Sequence, residues 1–147
     1  PWPTNLSASI AAIASVSGAM SFDTFNDCNP RKPTPVLQIH GSIDSVVPYD
    51  GLLSIMKPVM EVMDYWKTAN DCDEFVHTVP EIIAGESSWT ETYLFENCLN
   101  DTQNIHLKVQ GAGHIWPGSI FESIKDPDAS KQIWEFFSKY DINGVIQ

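Results

Sequence analysis

Two short apolar segments, each ending in a glycine, constrain the fold of this chain more than any other feature. Residues 35–41, PVLQIHG, begin with a proline and continue with Val36, Leu37 and Ile39. Residues 104–111, NIHLKVQG, contain a similar apolar run before a second glycine. Short apolar runs bounded by turn residues are typical of strands, so both segments predict strands.

Two further segments also predict strands. Residues 9–18 mix isoleucine, valine and alanine up to a glycine, which is typical of a buried strand. Residues 88–97 alternate aromatic and acidic side chains with threonine and leucine, which is typical of a half-exposed strand. The segment between Cys72 and Cys98 is expected to contain a hairpin. Residues 21–34, with asparagine, aspartate and two prolines, predict a loop.

Two segments predict helices. The apolar positions between residues 52 and 66 fall on one helical face, with Asp50 as the N-cap. Pro58 is expected to kink or divide this helix, because proline cannot make the hydrogen bond to residue i−4. The C-terminal segment predicts a second helix that is capped by Asp128 and ends before Gly144. Its apolar face comprises Ile133, Trp134, Phe136, Phe137 and Tyr140.

The order of these elements is strand, strand, helix, strands and helix, with glycine-containing loops at the strand ends. Such alternation predicts an α/β fold with a mostly parallel sheet. The chain has 147 residues, which is room for one domain that buries roughly 70% of its unfolded surface.

The composition excludes several classes of function. Hydrophobic residues make up 43% of the chain, which argues against disorder, and no apolar run approaches the roughly 18 residues of a membrane helix. The 8 basic and 19 acidic residues give a net charge of −11, without a lysine or arginine cluster. We therefore expect neither nucleic acid nor a membrane as partner. The histidines and cysteines lack metal-ligand spacing, so no metal and no cofactor is predicted.

The three cysteines leave two alternatives open. Cys72 and Cys98 flank the expected hairpin, and a disulfide between them would close a loop of about 26 residues, worth roughly 3.5 kcal/mol. In the other alternative both are free, buried thiols. Cys28 is left over in the first case, either as a free thiol or as one whose partner lies in absent sequence.

An aspartate and a histidine follow two predicted strands at equivalent positions. Asp44 lies five residues after Ile39, and His114 lies five residues after Val109. Ligand sites of open α/β sheets lie at the carboxyl ends of the strands, where both residues fall. A carboxylate beside an imidazole orients the ring and stabilises the imidazolium that forms when the histidine takes a hydroxyl proton. The pair predicts the acid and base of a hydrolytic triad; the alternative is two ordinary turn residues.

The loop around His114, QGAGHIWPG, contains residues that would shape it. Gly111 and Gly113 let the main chain turn tightly enough to direct the imidazole back over the strand ends. His40 is expected to form a local hydrogen bond beneath the aspartate loop.

These two loops resemble those of a known family. Residues 35–51, PVLQIHGSIDSVVPYDG, resemble the acid loop (HG-x-x-D-x-x-VPY) of polyhydroxybutyrate depolymerase-like and feruloyl-esterase-like carboxylesterases of the α/β-hydrolase superfamily. Residues 111–118, GAGHIWPG, resemble their base loop, GGGH-x-WPG, with Ala112 in place of the middle glycine. Residues 11–20, AAIASVSGAM, resemble the strand that follows their nucleophile helix. The resemblance covers about residues 8–140.

The resemblance implies that Asp44 is the triad acid and His114 the general base. It implies that Trp116 is an aromatic side chain on the substrate side, and that Pro117 helps to shape the loop. It also implies that residues 1–147 are the C-terminal portion of an α/β-hydrolase domain.

The nucleophile motif of the family is absent from this chain. The family's serine lies in a G-x-S-x-G turn between a strand and a helix, and no G-x-S-x-G occurs here. Residues 15–19, SVSGA, contain Ser17 but lack the first glycine, and residues 85–89, GESSW, lack the second. Since the chain also begins at Pro1 without a signal peptide, we expect the C-terminal half of a longer or processed esterase, inactive on its own.

Two functional hypotheses follow. In the first, the chain is part of a secreted serine carboxylesterase that cleaves polyesters, or feruloyl or acetyl esters of polysaccharides, through an acyl-enzyme. In the second, it is a degenerate half-hydrolase that acts as a binding or interaction module. A half-fold would leave an unpaired sheet edge, so we also expect self-association or pairing with the missing N-terminal half.

Overall fold

A five-stranded sheet forms the centre of the computed structural model, which describes residues 8–82 and 84–146. Its strands are β1 (Ile13–Val16), β2 (Val36–Gly41), β3 (Glu74–Thr78), β4 (Trp89–Glu96) and β5 (Asn104–Gln110), in the spatial order β1-β2-β5-β4-β3. The helices are α1 (Phe22–Asp27), α2 (Val59–Ala69) and α3 (Ala129–Phe137), and β6 (Tyr140–Asp141) and β7 (Gly144–Val145) form a separate hairpin. Pro1, on which the expectation of a processed start rests, lies outside the described residues.

The sheet is mixed, so the prediction of an α/β-hydrolase fold with a mostly parallel sheet is wrong. β2 runs parallel to β1 and β5, whereas β4 runs antiparallel to β5 and β3. The connections explain the difference, because parallel neighbours need a crossover of roughly a dozen or more residues. β4 and β5 are joined only by residues 97–103, and no helix occurs in the described residues between β3 and β4. The described residues form a small mixed sheet with few helices, and an α/β-hydrolase fold is not evident in them.

The strand predictions for the centre of the sheet are confirmed. Residues 35–41 and 104–111 form β2 and β5, which are hydrogen-bonded neighbours. Residues 9–18 contain the shorter β1, and residues 88–97 contain β4. The hairpin expected between the two cysteines is formed by β3 and β4. All of β2 is buried, since it lies between two strands and a helix packs on each of its faces.

Helices cover both faces of the sheet. On one face α3 contributes to a buried cluster with strands β2 and β5, whose members include Leu37, Ile39, Leu107, Val109 and Phe136. On the other face α2 places Val62 and Trp66 against Val36. Burial of each large aliphatic side chain stabilises the fold by roughly 1.5–3 kcal/mol, so these two layers hold β2 in place.

Helix α2 begins after Pro58, and the prediction of a helix from residue 52 is wrong for its first turns. Pro58 is the N-cap of α2, because its ring and its missing N–H prevent a helix from passing through it. The preceding residues form a turn that is closed by a bridge between Leu52 and Met56. Asp50 therefore caps no helix.

Helix α3 has the predicted N-cap but is shorter than predicted. The side chain of Asp128 accepts a hydrogen bond from the N–H of Lys131 at 3.0 Å, which confirms the cap. The helix ends at Phe137 because the chain then turns into the β6–β7 hairpin. Trp134, predicted on the apolar face, is 73% exposed. In the described part of the chain, no helix is long and apolar enough to span a membrane.

Helix α1 lies in residues 21–34, which were predicted to be a loop. The side chain of Ser21 accepts a hydrogen bond from the N–H of Thr24 at 3.1 Å and caps the helix. The ring of Phe25 packs 5.3 Å from that of Tyr65 on α2. A helix of one to two turns is stable only through such contacts, which apolar periodicity does not reveal.

A disulfide joins Cys72, which follows α2, to Cys98, which follows β4. Of the two alternatives for this pair, the structure therefore has the bridged one, and Cys28 is free and half-buried. The bridged cysteines pack in a buried cluster with Met63 and Phe95. The bridge thus attaches the β3–β4 hairpin to the helix that covers the sheet.

Replacement of both bridged cysteines by alanine should lower the free energy of unfolding by roughly 3.5 kcal/mol, because a loop with a sequence separation of 26 is no longer closed in the unfolded chain. Urea denaturation followed by circular dichroism measures this change. Cys28→Ala is the matched control and should change the stability much less. Equal stability of the double variant and the wild type would contradict a stabilising role of the bridge.

Candidate active site

The central interaction of the site is a hydrogen bond between Asp44 and His114, whose Oδ2 and Nδ1 atoms lie 2.9 Å apart. Because β2 and β5 are parallel, their carboxyl ends lie at one edge of the sheet, and the loops that follow them meet there. The side chain of Asp44 is 0% exposed and that of His114 is 43% exposed. An ionised carboxylate has no proton to donate, so Nδ1 carries the ring proton and Nε2 keeps its lone pair. The structure brings the two predicted residues together, and their role in catalysis stays a prediction.

Main-chain hydrogen bonds hold the acid loop and the base loop together. The N–H of Ser42 donates to the carbonyl of Val109, and the N–H of Ile43 donates to that of Ala112, each at 3.0 Å. The N–H of Gly111 donates to the Ser42 hydroxyl at 3.0 Å. Strand pairing thus continues past the ends of β2 and β5, and it sets the distance between the acid and the base.

Two glycines permit this close approach. A Cβ atom at Gly41 would collide with the main-chain oxygens of Ala112 and Gly113. Gly111 has a φ of +76°, and a Cβ there would collide with the carbonyl of Ser87. Gly113 differs, because it has no left-handed φ and no described atom lies within 4 Å of the Cβ position. The observed loop geometry therefore requires glycine at positions 41 and 111. No clash and no left-handed φ supports the expectation that the turn also needs a glycine at position 113.

The acid loop keeps the buried carboxylate ionised. Oδ1 of Asp44 accepts hydrogen bonds from the N–H groups of Val46 at 2.9 Å and Val47 at 2.8 Å. Burial by itself would raise the pKa of Asp44. The hydrogen bonds from Val47, His114 and Val46 outweigh burial and lower the pKa of this carboxyl below its usual value. An acid that stays ionised can stabilise a positive imidazole beside it.

The rest of the base loop is attached to the start of α3. The indole N–H of Trp116 donates to the hydroxyl of Ser130 at 3.1 Å. The carbonyl of Pro117 accepts a hydrogen bond from the N–H of Ala129 at 3.0 Å. Trp116 is 45% exposed and follows His114 by two residues, so the loop presents an exposed aromatic side chain that a hydrogen bond holds in place.

Ser17, at the end of β1, links a third strand to the base loop. Its hydroxyl donates to the carbonyl of Ile115 at 3.1 Å, and the residue is buried. Its φ of +53° lies in the left-handed region, which costs a non-glycine residue on the order of 1 kcal/mol. This hydrogen bond attaches the base loop to the end of β1. No sequence pattern signals it, because the partner is a main-chain atom 98 residues away.

The other histidines have structural partners. His40 lies beneath the acid loop with Nε2 at 2.9 Å from the carbonyl of Val47, which confirms its predicted local hydrogen bond. Nε2 of His106 lies 2.9 Å from the hydroxyl of Tyr49, and burial lowers the pKa of His106 to about 4, so this ring is neutral at pH 7. His77 lies on β3, at the far edge of the sheet. Across the described ranges, no group of three or more His, Cys, Asp or Glu side chains is placed to hold a metal ion.

Large apolar side chains on the acid loop, on the base loop and just after the base loop are exposed to solvent. We call this set the apolar rim; it consists of Ile43, Val46, Trp116, Ile120 and Phe121. The sequence indicated only Trp116 as a candidate for substrate contact. The exposure of the other four could not be predicted, because the sequence does not distinguish an exposed apolar residue in a loop from a buried one.

Asp44→Asn should remove part of the acid sensitivity of the fold. Because the folded-state pKa lies below the usual value of 3.8, ionised Asp44 stabilises the fold above that pH, and this contribution is lost as the pH falls through the folded-state pKa. Urea unfolding between pH 2 and pH 6 measures the effect as a shallower decline in the variant. Asp73→Asn, at an exposed position, is the control, and an unchanged decline in Asp44→Asn would contradict the assignment.

Comparison with known proteins gives two distant similarities. The chain is 26% identical over 137 residues to the bifunctional acetylxylan esterase/xylanase XynS20E of Neocallimastix patriciarum. The aligned region covers 93% of this chain and 18% of that protein. It is 28% identical over 130 residues to the "Putative esterase NocK" of Nocardia uniformis subsp. tsuyamanensis. Here the aligned region covers 76% of this chain and 36% of that protein. No family model matches the chain. The chain spans well under half the length of these relatives, and the similarities indicate an esterase-like relationship.

Proposed function

We propose that this chain contributes the acid and the base of a serine carboxylesterase. The observation that carries the proposal is the 2.9 Å hydrogen bond between Asp44 Oδ2 and His114 Nδ1 at the carboxyl edge of the parallel strands. The esterase names of both distant relatives support the same reaction class. The exposure of the imidazole also supports it, since a general base has to reach the proton that it removes.

In this mechanism Nε2 of His114 takes the proton of a serine hydroxyl while the serine oxygen attacks the ester carbonyl carbon. The imidazolium then gives that proton to the departing alcohol, which leaves an acyl-enzyme. Water repeats the same two steps, releases the acid and restores the serine. Asp44 stays ionised throughout; it holds the ring in the tautomer with Nδ1 protonated and stabilises the imidazolium.

The serine belongs, in this proposal, to a segment of the protein other than these 147 residues. Two observations support this. No G-x-S-x-G turn occurs in the sequence, and the hydroxyl of Ser17, the serine tied to the base loop, is buried and donates to the carbonyl of Ile115. The edge position of β1 in the sheet supports pairing of this chain with that segment or with a second copy.

The substrate that we propose has an apolar or aromatic part next to the ester bond. The side chains of the apolar rim are exposed, and the indole of Trp116 is held by its hydrogen bond to Ser130; both features support contact with an aromatic or acyl group. Polyesters and feruloyl or acetyl esters of polysaccharides are the classes that fit, and the name of the first relative includes an acetylated polysaccharide. The disulfide supports secretion, since such bridges persist in oxidising compartments.

Ester hydrolysis should appear when the chain is combined with the polypeptide encoded upstream of Pro1, and His114→Ala should lower kcat/KM by at least about 10³-fold because the general base is lost. A panel of acetyl, butyryl and feruloyl esters, with initial rates measured by absorbance, also ranks the substrate classes. His77→Ala, in the far strand β3, is the matched control and should keep the wild-type rate.

Three outcomes would contradict parts of this proposal. Hydrolysis that survives His114→Ala would remove the base from the mechanism. Hydrolysis by the chain alone that is lost in Ser17→Ala would move the nucleophile into this chain. No hydrolysis in any combination would favour the alternative of a non-catalytic binding module.

A further inference from the structure

We propose that His40 is a positioning residue that holds Asp44 so that one carboxylate oxygen, Oδ2, is directed at His114. His40 is almost fully buried in β2, four residues before Asp44. This geometry does not depend on the reaction that the chain supports. Only the effect of His40 on turnover rests on the proposed esterase function.

The neighbours of His40 determine which ring nitrogen carries its proton. The side-chain nitrogen of Gln38 lies 3.0 Å from the carbonyl oxygen of Gly18 and 3.2 Å from Nδ1 of His40. An amide NH₂ group only donates, so Nδ1 accepts and has no proton. The opposite orientation of the Gln38 amide is excluded, because its oxygen would then face the carbonyl oxygen of Gly18, and two acceptors cannot form a hydrogen bond. The proton of the neutral ring is therefore on Nε2.

The Nε2–H group of His40 is directed at the acid loop. Nε2 lies 2.9 Å from the carbonyl oxygen of Val47 and 3.5 Å from Oδ2 of Asp44. The first distance is that of an ordinary hydrogen bond, whereas the second is too long for a strong one. Both side chains are 0% exposed, so the attraction between the N–H dipole and the carboxylate is little screened by water.

Val47 connects His40 to the other oxygen of the carboxylate. Its carbonyl accepts from His40, and its N–H donates to Oδ1 of Asp44 at 2.8 Å. With Oδ1 held by the N–H groups of Val46 and Val47, Oδ2 is the oxygen that accepts from His114. Loss of the His40 N–H would leave the Val47 carbonyl without this partner. Val47, whose N–H holds Oδ1, would then be less firmly placed, and the direction of Oδ2 would be less well fixed.

A purely steric role is the competing explanation, because the ring of His40 also packs edge-on at 5.9 Å from that of Tyr49. Two substitutions separate these roles. His40→Phe keeps an aromatic ring and removes the N–H donor. His40→Gln removes the ring and puts an amide NH₂ group near the position of Nε2. A positioning role predicts that the glutamine variant keeps the geometry of the acid, whereas a packing role predicts the reverse.

The first test needs no variant. Two-bond ¹H–¹⁵N correlation spectra of the full 147-residue chain at pH 7 report which ring nitrogen of each histidine is protonated. We expect His40 to be the Nε2–H tautomer and His114 to be the Nδ1–H tautomer. An Nδ1–H tautomer at His40 overturns the proposal, whatever the behaviour of the variants.

The second test follows the Nδ1 proton of His114, which should give a downfield signal in the wild type that is absent in Asp44→Asn. His40→Gln should retain this signal, and His40→Phe should lose it while backbone spectra show an intact fold. Retention in both variants, loss in both, or retention only in His40→Phe overturns the proposal. If His40→Phe does not fold, loss of the signal in a folded His40→Gln still overturns it.

The catalytic consequence is tested separately. Once hydrolysis is measurable, His40→Phe should lower kcat by about 10²-fold with little change in KM, because the base is misplaced while the substrate surface is intact. His40→Gln should restore most of kcat. Absence of hydrolysis in every combination would remove the esterase function and leave the result from the spectra unaffected, so the two failures are distinguishable.

Discussion

The parallel pairing of β2 with β5 is the interaction on which the rest of the structure depends. It brings the carboxyl ends of two strands, distant in sequence, to one edge of the sheet, and its hydrogen bonds continue into the loops through Ile43 and Ala112. If either strand ran the other way, Asp44 and His114 would lie at opposite ends of the sheet. The burial of every residue of β2 fixes this pairing, because a register shift of one residue would turn Gln38 and His40 towards the apolar face on which Leu37 and Ile39 pack.

The second constraint is the cost of a buried charge. Transfer of a carboxylate from water into the protein costs several kcal/mol, and the acid loop offsets this with two main-chain N–H groups and one imidazole N–H. Hydrogen bonds to a charged group contribute about 1.5–3 kcal/mol each. The hydrogen bonds that offset the cost of burying the Asp44 carboxylate also fix the direction of its two oxygens. The same interactions therefore stabilise the fold and orient the carboxylate.

The local parts of the structure could be predicted from the sequence, whereas of the long-range parts mainly the approach of Asp44 to His114 was predicted. β2, β5 and the N-cap at Asp128 were predicted because each depends on neighbouring residues. The position of Asp44 and His114 at strand ends was predicted for the same reason. The antiparallel addition of β3 and β4 was missed, since apolar alternation carries no information on strand direction. The contacts of Ser17 and Gln38 were missed as well, because their partners are main-chain or distant atoms.

The absence of a side chain at Gly41 has a consequence for engineering. The main chain of the base loop rests directly against this position, so the separation of acid and base is set by backbone against backbone and not by side-chain volume. The side chains of the apolar rim do not contribute to this contact. An engineer could therefore change the side chains of the rim while the spacing of the two ionisable groups stays constant, provided that residue 41 remains glycine.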